Sequence, residues 1–176
     1  FFDLRKVTIQ ANSNGAGGYT LFTPKEKYLS YPTKKYFLAN LVVALGGRAA
    51  EILQYGNRKR GKTIFADIPD LYVTAGASND LTQAKAISAQ YLQYFGNFIS
   101  NETFYAGNEN SEYTKEVTDR NVMKLIEFGL NCSLNILETH QLLLHEMTLQ
   151  LMKEKSLLTF PNINIIENSE FNGNLE

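Results

Sequence analysis

Phe37-Leu38-Ala39-Asn40-Leu41-Val42-Val43-Ala44-Leu45-Gly46-Gly47-Arg48-Ala49-Ala50-Glu51 is the stretch on which the fold turns. Phe37, Leu38, Leu41, Val42 and Leu45 recur at i, i+3, i+4 and i+7 spacing, which lays one apolar face along a helix. Pro32 suits the first turn of that helix, where its missing N–H costs nothing. Gly46-Gly47 interrupts the pattern, and Arg48 to Tyr55 continues as helix. The paired glycines read as a point of close helix packing. A nucleotide loop would need Lys-Ser or Lys-Thr after them, and neither follows.

Downstream the helical reading continues. Ser78-Asn79-Asp80-Leu81 opens a helix that runs to about Phe95, with Ser78 or Asn79 at the N-cap and Asp80 complementing the helix dipole. Gly96 ends it. A long helical stretch spans Tyr113 to about Thr139, with Val117, Val122, Leu125, Ile126, Leu130, Leu134 and Leu137 on its apolar side. A second, from about His140 to Lys155, carries Leu142, Leu143, Met147, Leu149 and Leu151. Together these two resemble an antiparallel helical pair.

Upstream the period is different. Lys6 to Gln10 reads as a strand, Asn12-Ser13-Asn14-Gly15 as a turn, and Gly18 to Phe22 as the antiparallel partner strand. Three segments read as irregular: 57–71 with the basic cluster Arg58, Lys59, Arg60 and Lys62; 97–112; and the Asn- and Ile-rich end. The fold class expected is therefore mainly α with a small N-terminal β-hairpin. Residues 1–160 form one domain in this reading, and 161–176 an irregular tail.

Composition narrows the function. The 176 residues are 44% hydrophobic and 20% charged, ordinary values for a globular domain. A formal net charge of −1 gives no electrostatic reason to expect nucleic acid, and the basic cluster reads as a solvated loop. Cys132, the one cysteine, excludes an internal disulfide and a thiolate-rich zinc site. It reads as a small core residue. No apolar run approaches the roughly 18 to 20 residues that cross a bilayer. Phe1 stands first and no signal-peptide pattern follows it. Frequent Asn and Tyr with no Trp fit an AT-rich coding genome such as an organelle's.

Four segments, in order, resemble the proteolytic domain of FtsH-type ATP-dependent zinc metalloproteases. They are Lys6-Val7-Thr8-Ile9, Gly18-Tyr19-Thr20, Leu45-Gly46-Gly47-Arg48-Ala49-Ala50-Glu51 and Gly76-Ala77-Ser78-Asn79-Asp80-Leu81. The C-terminal pattern, from Tyr113-Thr114 through Asp119 to Ile136-Leu137, also fits. The resemblance covers about residues 4 to 158. Three departures accompany it. The link between Gly56 and Gly76 is longer than the family's, Ile52 stands where the family has a second glutamate, and the H-E-x-x-H helix expected just before Phe1 is not among these residues.

The resemblance implies that Asp80 is the third zinc ligand, completing a set begun by two histidines one helical turn apart. Read from this chain alone, Asp80 instead stabilises its helix N-terminus. The two histidines here do not replace the missing pair. His140 and His145 are five apart, about 140° around a helix, and Leu149 stands where a second histidine would follow His145-Glu146. The family's substrate strand matches Gly18, Tyr19 and Thr20, whose alternative role is hairpin pairing. Gly46, Gly47, Arg48, Glu51, Ser78 and Asn79 are structural motif positions.

The function expected first is a non-catalytic peptidase-like module of a membrane-bound FtsH-type AAA hexamer. It would serve assembly and the handling of unfolded polypeptide, in a plastid ATP-driven import motor. The alternative is part of an active ATP-dependent zinc metalloendopeptidase. Zinc, ATP on an associated AAA module and membrane association through other segments or subunits follow from the resemblance only, as does an organellar or bacterial inner-membrane location.

Overall fold

A computed structural model describes residues 1–11, 17–56, 74–96 and 112–158. The turn at Asn12-Ser13-Asn14-Gly15, the basic cluster of 57–71, most of the 97–112 segment and the tail 161–176 lie outside the described residues. The chain divides into two compact units, 1–26 with 140–176, and 27–139.

The helical unit contains α1 (Lys34–Ala44), α2 (Gly46–Glu51), α3 (Ser78–Phe95) and α4 (Glu112–Thr139). Thr33 is the N-cap of α1, accepting a hydrogen bond from Tyr36 N at 3.2 Å. Pro32 therefore precedes the cap rather than filling the first turn. The expected break falls at Leu45, and α1 and the helix that continues to Tyr55 are bent by 45° there. Ile52–Gly56 is wound as a π turn.

Phe37, Leu41, Leu45, Ala84, Tyr91, Leu92, Val122 and Leu125 form the buried core. Burial of Leu- and Phe-sized side chains contributes about 1.5–3 kcal/mol each, so this cluster outweighs any single polar contact in the unit. The close approach of α1 to α4 depends on Gly129. A Cβ there would lie 2.8 Å from Leu41 Cγ and 3.0 Å from Leu45 Cδ1. Beside it, Ser133 Oγ lies 2.7 Å from Val42 O and 2.9 Å from Gly129 O, so its one proton is shared across the helix pair.

The other unit contains β1 (Phe2–Thr8), β2 (Tyr19–Pro24), α5 (Gln141–Glu154) and β3 (Ser156–Leu157). The strands pair antiparallel in the order β2-β1-β3. Pairing slips between Leu4↔Phe22 and Lys6↔Leu21, leaving Arg5 as the extra residue of a bulge. That bulge interrupts the alternation, which is why sequence pattern places the strand only from Lys6. β3 is an addition that pattern does not announce. Lys155 adopts the left-handed conformation at φ 64° and caps α5, its N–H donating to Leu151 O at 2.8 Å. Its carbonyl then accepts from Ile9 N at 3.0 Å and from Thr8 Oγ1 at 3.1 Å. The turn thus delivers two residues to the far side of β1.

The mainly α class holds, and the hairpin is part of a three-stranded sheet. α4 and α5 match the two long helices expected, though each packs within a different unit. Among the described residues no single helix is long and apolar enough to cross a membrane. The bent pair Lys34–Ala44 with Gly46–Tyr55 passes that test by length and composition, and its Phe37 and Leu41, with Leu45 at the bend, are buried in the core.

Candidate functional site

Two motifs distant in sequence meet at the start of α3. Thr74 sets the approach: its hydroxyl accepts from Gly76 N at 3.0 Å and holds the short 3-10 turn Ala75–Ala77. α3 follows directly. Ala77 occupies its N-cap and makes no side-chain capping bond, while Ser78 already has helical φ and ψ. The expectation that Ser78 or Asn79 caps the helix is therefore corrected; both are exposed first-turn residues.

Asp80 sits in the first turn of α3 with its carboxyl laid over Gly47. A Cβ on Gly47 would come within 2.6 Å of Asp80 Oδ2. Gly47 is thus a close-approach glycine, as the packing reading requires, whereas a Cβ on Gly46 would meet nothing within 4 Å. Arg48 and Glu51 complete the cluster. Arg48 Nη1 donates to Glu51 Oε2 at 3.2 Å and to Thr74 O at 3.2 Å. Thr74 Oγ1 donates to Glu51 Oε1. The Arg48–Glu51 pair is mostly withdrawn from water, with side chains 16% and 20% exposed, so it outranks the surface ion pairs of α4.

The electrostatics follow from this packing. Burial raises the Asp80 carboxyl above the usual 3.8, the Glu51 charge raises it further, and Arg48 acts in the opposite direction. Burial likewise pushes the Cys132 thiol up, away from a reactive thiolate.

A hydrolytic zinc needs three protein donors and an open position. No group of three His, Cys, Asp and Glu side chains able to hold a metal occurs among the described residues. Asp80 offers one carboxylate, so a complete zinc centre would take donors from beyond these residues. His140 is the N-cap of α5 without a side-chain capping bond, and His145 is exposed on that helix.

The matched strand has a clear structural duty. Tyr19 and Thr20 pair with Thr8 and Val7, and a Cβ on Gly18 would sit 2.6 Å from the Thr8 carbonyl oxygen. Among the described residues β2 is also an outer strand of the sheet, and Tyr19, Thr20, Leu21 and Phe22 are exposed.

Thr74 is the site residue that sequence reasoning missed. Its signal was a threonine two residues before a glycine at a helix entry, the pattern of a hydroxyl-bonded turn.

The chain thus holds a helical core, a small sheet, and a carboxylate at a helix start laid over a paired-glycine segment. Residues 2–165 match peptidase family M41, and the chain belongs to that family. It is similar to the ATP-dependent zinc metalloprotease FtsH 1 of Methylacidiphilum infernorum, at 30% identity over 94% of this chain and 26% of that protein. It is similar also to the FtsH of Chloroflexus aggregans, at 33% over 88% of this chain and 24% of that protein. A third relative is the chloroplastic FTSH 1 of Arabidopsis thaliana, at 29% over 80% and 20%. The chain spans about a quarter of the length of the relatives it matches.

Proposed function

We propose that this chain is a peptidase-like module of an FtsH-type AAA assembly, one that presents unfolded polypeptide and supports hexamer formation without cutting peptide bonds through its own residues. The outer edge of β2, which no other strand among the described residues pairs with, carries the reading. An outer strand with exposed side chains offers backbone donors and acceptors to an extended polypeptide, which adds as a further strand. In this reading ATP is used on an associated AAA module, membrane association comes through other segments or subunits, and the setting is a plastid with ATP-driven protein import. In the same reading residues 1–160 form the domain.

Reduced, carboxymethylated casein tests the edge with Leu21→Pro and Phe22→Pro made separately. Neighbouring strand residues point their N–H groups to opposite sides. One proline is expected to abolish casein binding while leaving the melting temperature near wild type, and the other to break the β1 ladder. Undiminished binding in both would remove β2 from polypeptide handling.

A second reading rests on Asp80. It lies over Gly47 at the start of α3, and its charge is disfavoured by burial and by Glu51, the setting of a candidate functional carboxylate. The full-length protein would then be an active ATP-dependent zinc metalloendopeptidase with Asp80 as its third ligand. Casein degradation by the full-length protein, with ATP and zinc supplied, decides between the two. No degradation by either wild type or Asp80→Asn supports the first reading, loss of degradation in the variant alone supports the second, and equal measurable rates would remove Asp80 from the mechanism.

A further inference from the structure

Two carboxylates stand close enough to repel at the start of α3, and they are partnered very differently. Glu51 has both oxygens engaged. Its Oε2 accepts from Arg48 Nη1 at 3.2 Å and its Oε1 accepts from the Thr74 hydroxyl. The same Arg48 nitrogen also donates to the Thr74 carbonyl at 3.2 Å, so the three side chains close a triangle. Asp80, laid over Gly47 beside them, accepts no hydrogen bond and joins no ion pair among the described residues.

Charge alone does not explain this division. Arg48 is near enough to act on Asp80, and a guanidinium–carboxylate bond is among the stronger polar contacts a fold can make. A half-buried carboxylate left without a donor is correspondingly costly. The guanidinium is held elsewhere by local geometry. Glu51 lies three residues along α2, within reach on the same helix face. Thr74 arrives from the other side, fixed by the bond its hydroxyl accepts from Gly76 N at 3.0 Å. Among the described residues, neither α3 nor α4, which packs against both α2 and α3, adds a further charge that acts on Asp80.

We propose that Glu51 and Thr74 are positioning residues for Asp80: together they hold the Arg48 guanidinium off it and leave its carboxylate open to a cation. The cation's identity as zinc rests on the second reading above, whereas the diversion of Arg48 does not. Without Glu51 the guanidinium turns to Asp80 and occupies the carboxylate from within. A triangle that served only to brace the entry to α3 would be indifferent to Asp80.

A mutant cycle on the 176-residue chain separates these roles by thermal melting near pH 7. Asp80→Asn alone should raise the melting temperature, since it removes a penalised charge. In a Glu51→Gln background the same change should lower it by roughly 2 °C or more, because an Arg48–Asp80 pair is then lost. Adding Arg48→Met to that background should abolish the reversal. An Asp80→Asn effect of one sign in every background would overturn the proposal. Should Glu51→Gln not fold, the Arg48 guanidinium NMR signals of wild type and Asp80→Asn decide: unchanged signals support the diversion, and a shift to the free-arginine position overturns it. Zinc retained by the full-length protein after dialysis against a zinc buffer tests the cation. Wild type should hold it about tenfold more tightly than Glu51→Gln, and equal retention would overturn the positioning role. Wild type holding none removes the second reading, while the melting cycle still decides where Arg48 is held.

Discussion

Asp80 is a carboxylate placed where its own charge is penalised. Its helix-start position favours the ionised form, yet burial and Glu51 together raise its pKa above 3.8. The folded chain therefore holds the Asp80 proton more tightly than the unfolded chain. The stability from that proton is fully present below 3.8 and is lost as pH rises through the folded value. Asp80→Asn removes the dependence. Thermal melts at about pH 3 and about pH 7 should show the variant gaining on wild type at the higher pH. An identical difference at both would show that Asp80 is not linked to folding. The same residue explains Gly47: a methyl group there would push aside the end of a flexible side chain, not backbone, so the position protects the carboxyl's place more than the fold.

At the scale of elements, the packing of α1 on α4 depends on what is missing from one position. Gly129 lies mid-helix, where Ala is favoured by about 1 kcal/mol on propensity alone. Against that, a Cβ would enter the space of Leu41 and Leu45, both fully buried. Overpacking of this kind costs about 1–3 kcal/mol, so the packing term wins. Gly129→Ala should lower stability by up to about 2 kcal/mol in urea unfolding, the overpacking cost less the propensity gain, and a stabilised variant would mean that the two helices are free to separate. Gly129 was not legible in the sequence, because a glycine inside a helical pattern reads only as a weak point. The residues it accommodates were legible, since Leu41 and Leu45 stand on the apolar face that the i, i+4 spacing marks out.

For the whole molecule, the division into units has a consequence for folding. Every member of the buried cluster from Phe37 to Leu125 lies within residues 27–139. Those residues by themselves should keep a helical circular dichroism spectrum and melt cooperatively; a broad, non-cooperative melt would show that the core needs the chain ends. The sheet unit has no such independence, because β1 and β3 come from opposite ends of the described chain. Truncation before α5 should therefore release β1 and β2 as an isolated hairpin, which is marginal in water.

The sequence alone determined the helices, an interruption beside Gly46-Gly47 that falls at Leu45, the end of α3 at Gly96 and, through the ordered motifs, the family. Those signals are local: periodicity, turn chemistry and short fixed spacings survive without knowledge of what packs on what. Only the tertiary structure decided that Asp80 lies over Gly47, that Ala77 rather than Ser78 precedes α3, that Thr74 ties Glu51 to the helix entry, and that Ser156–Leu157 joins β1. Each of these depends on distant segments arriving at one place, and the distance between them is set by burial of the core, not by any pattern along the chain.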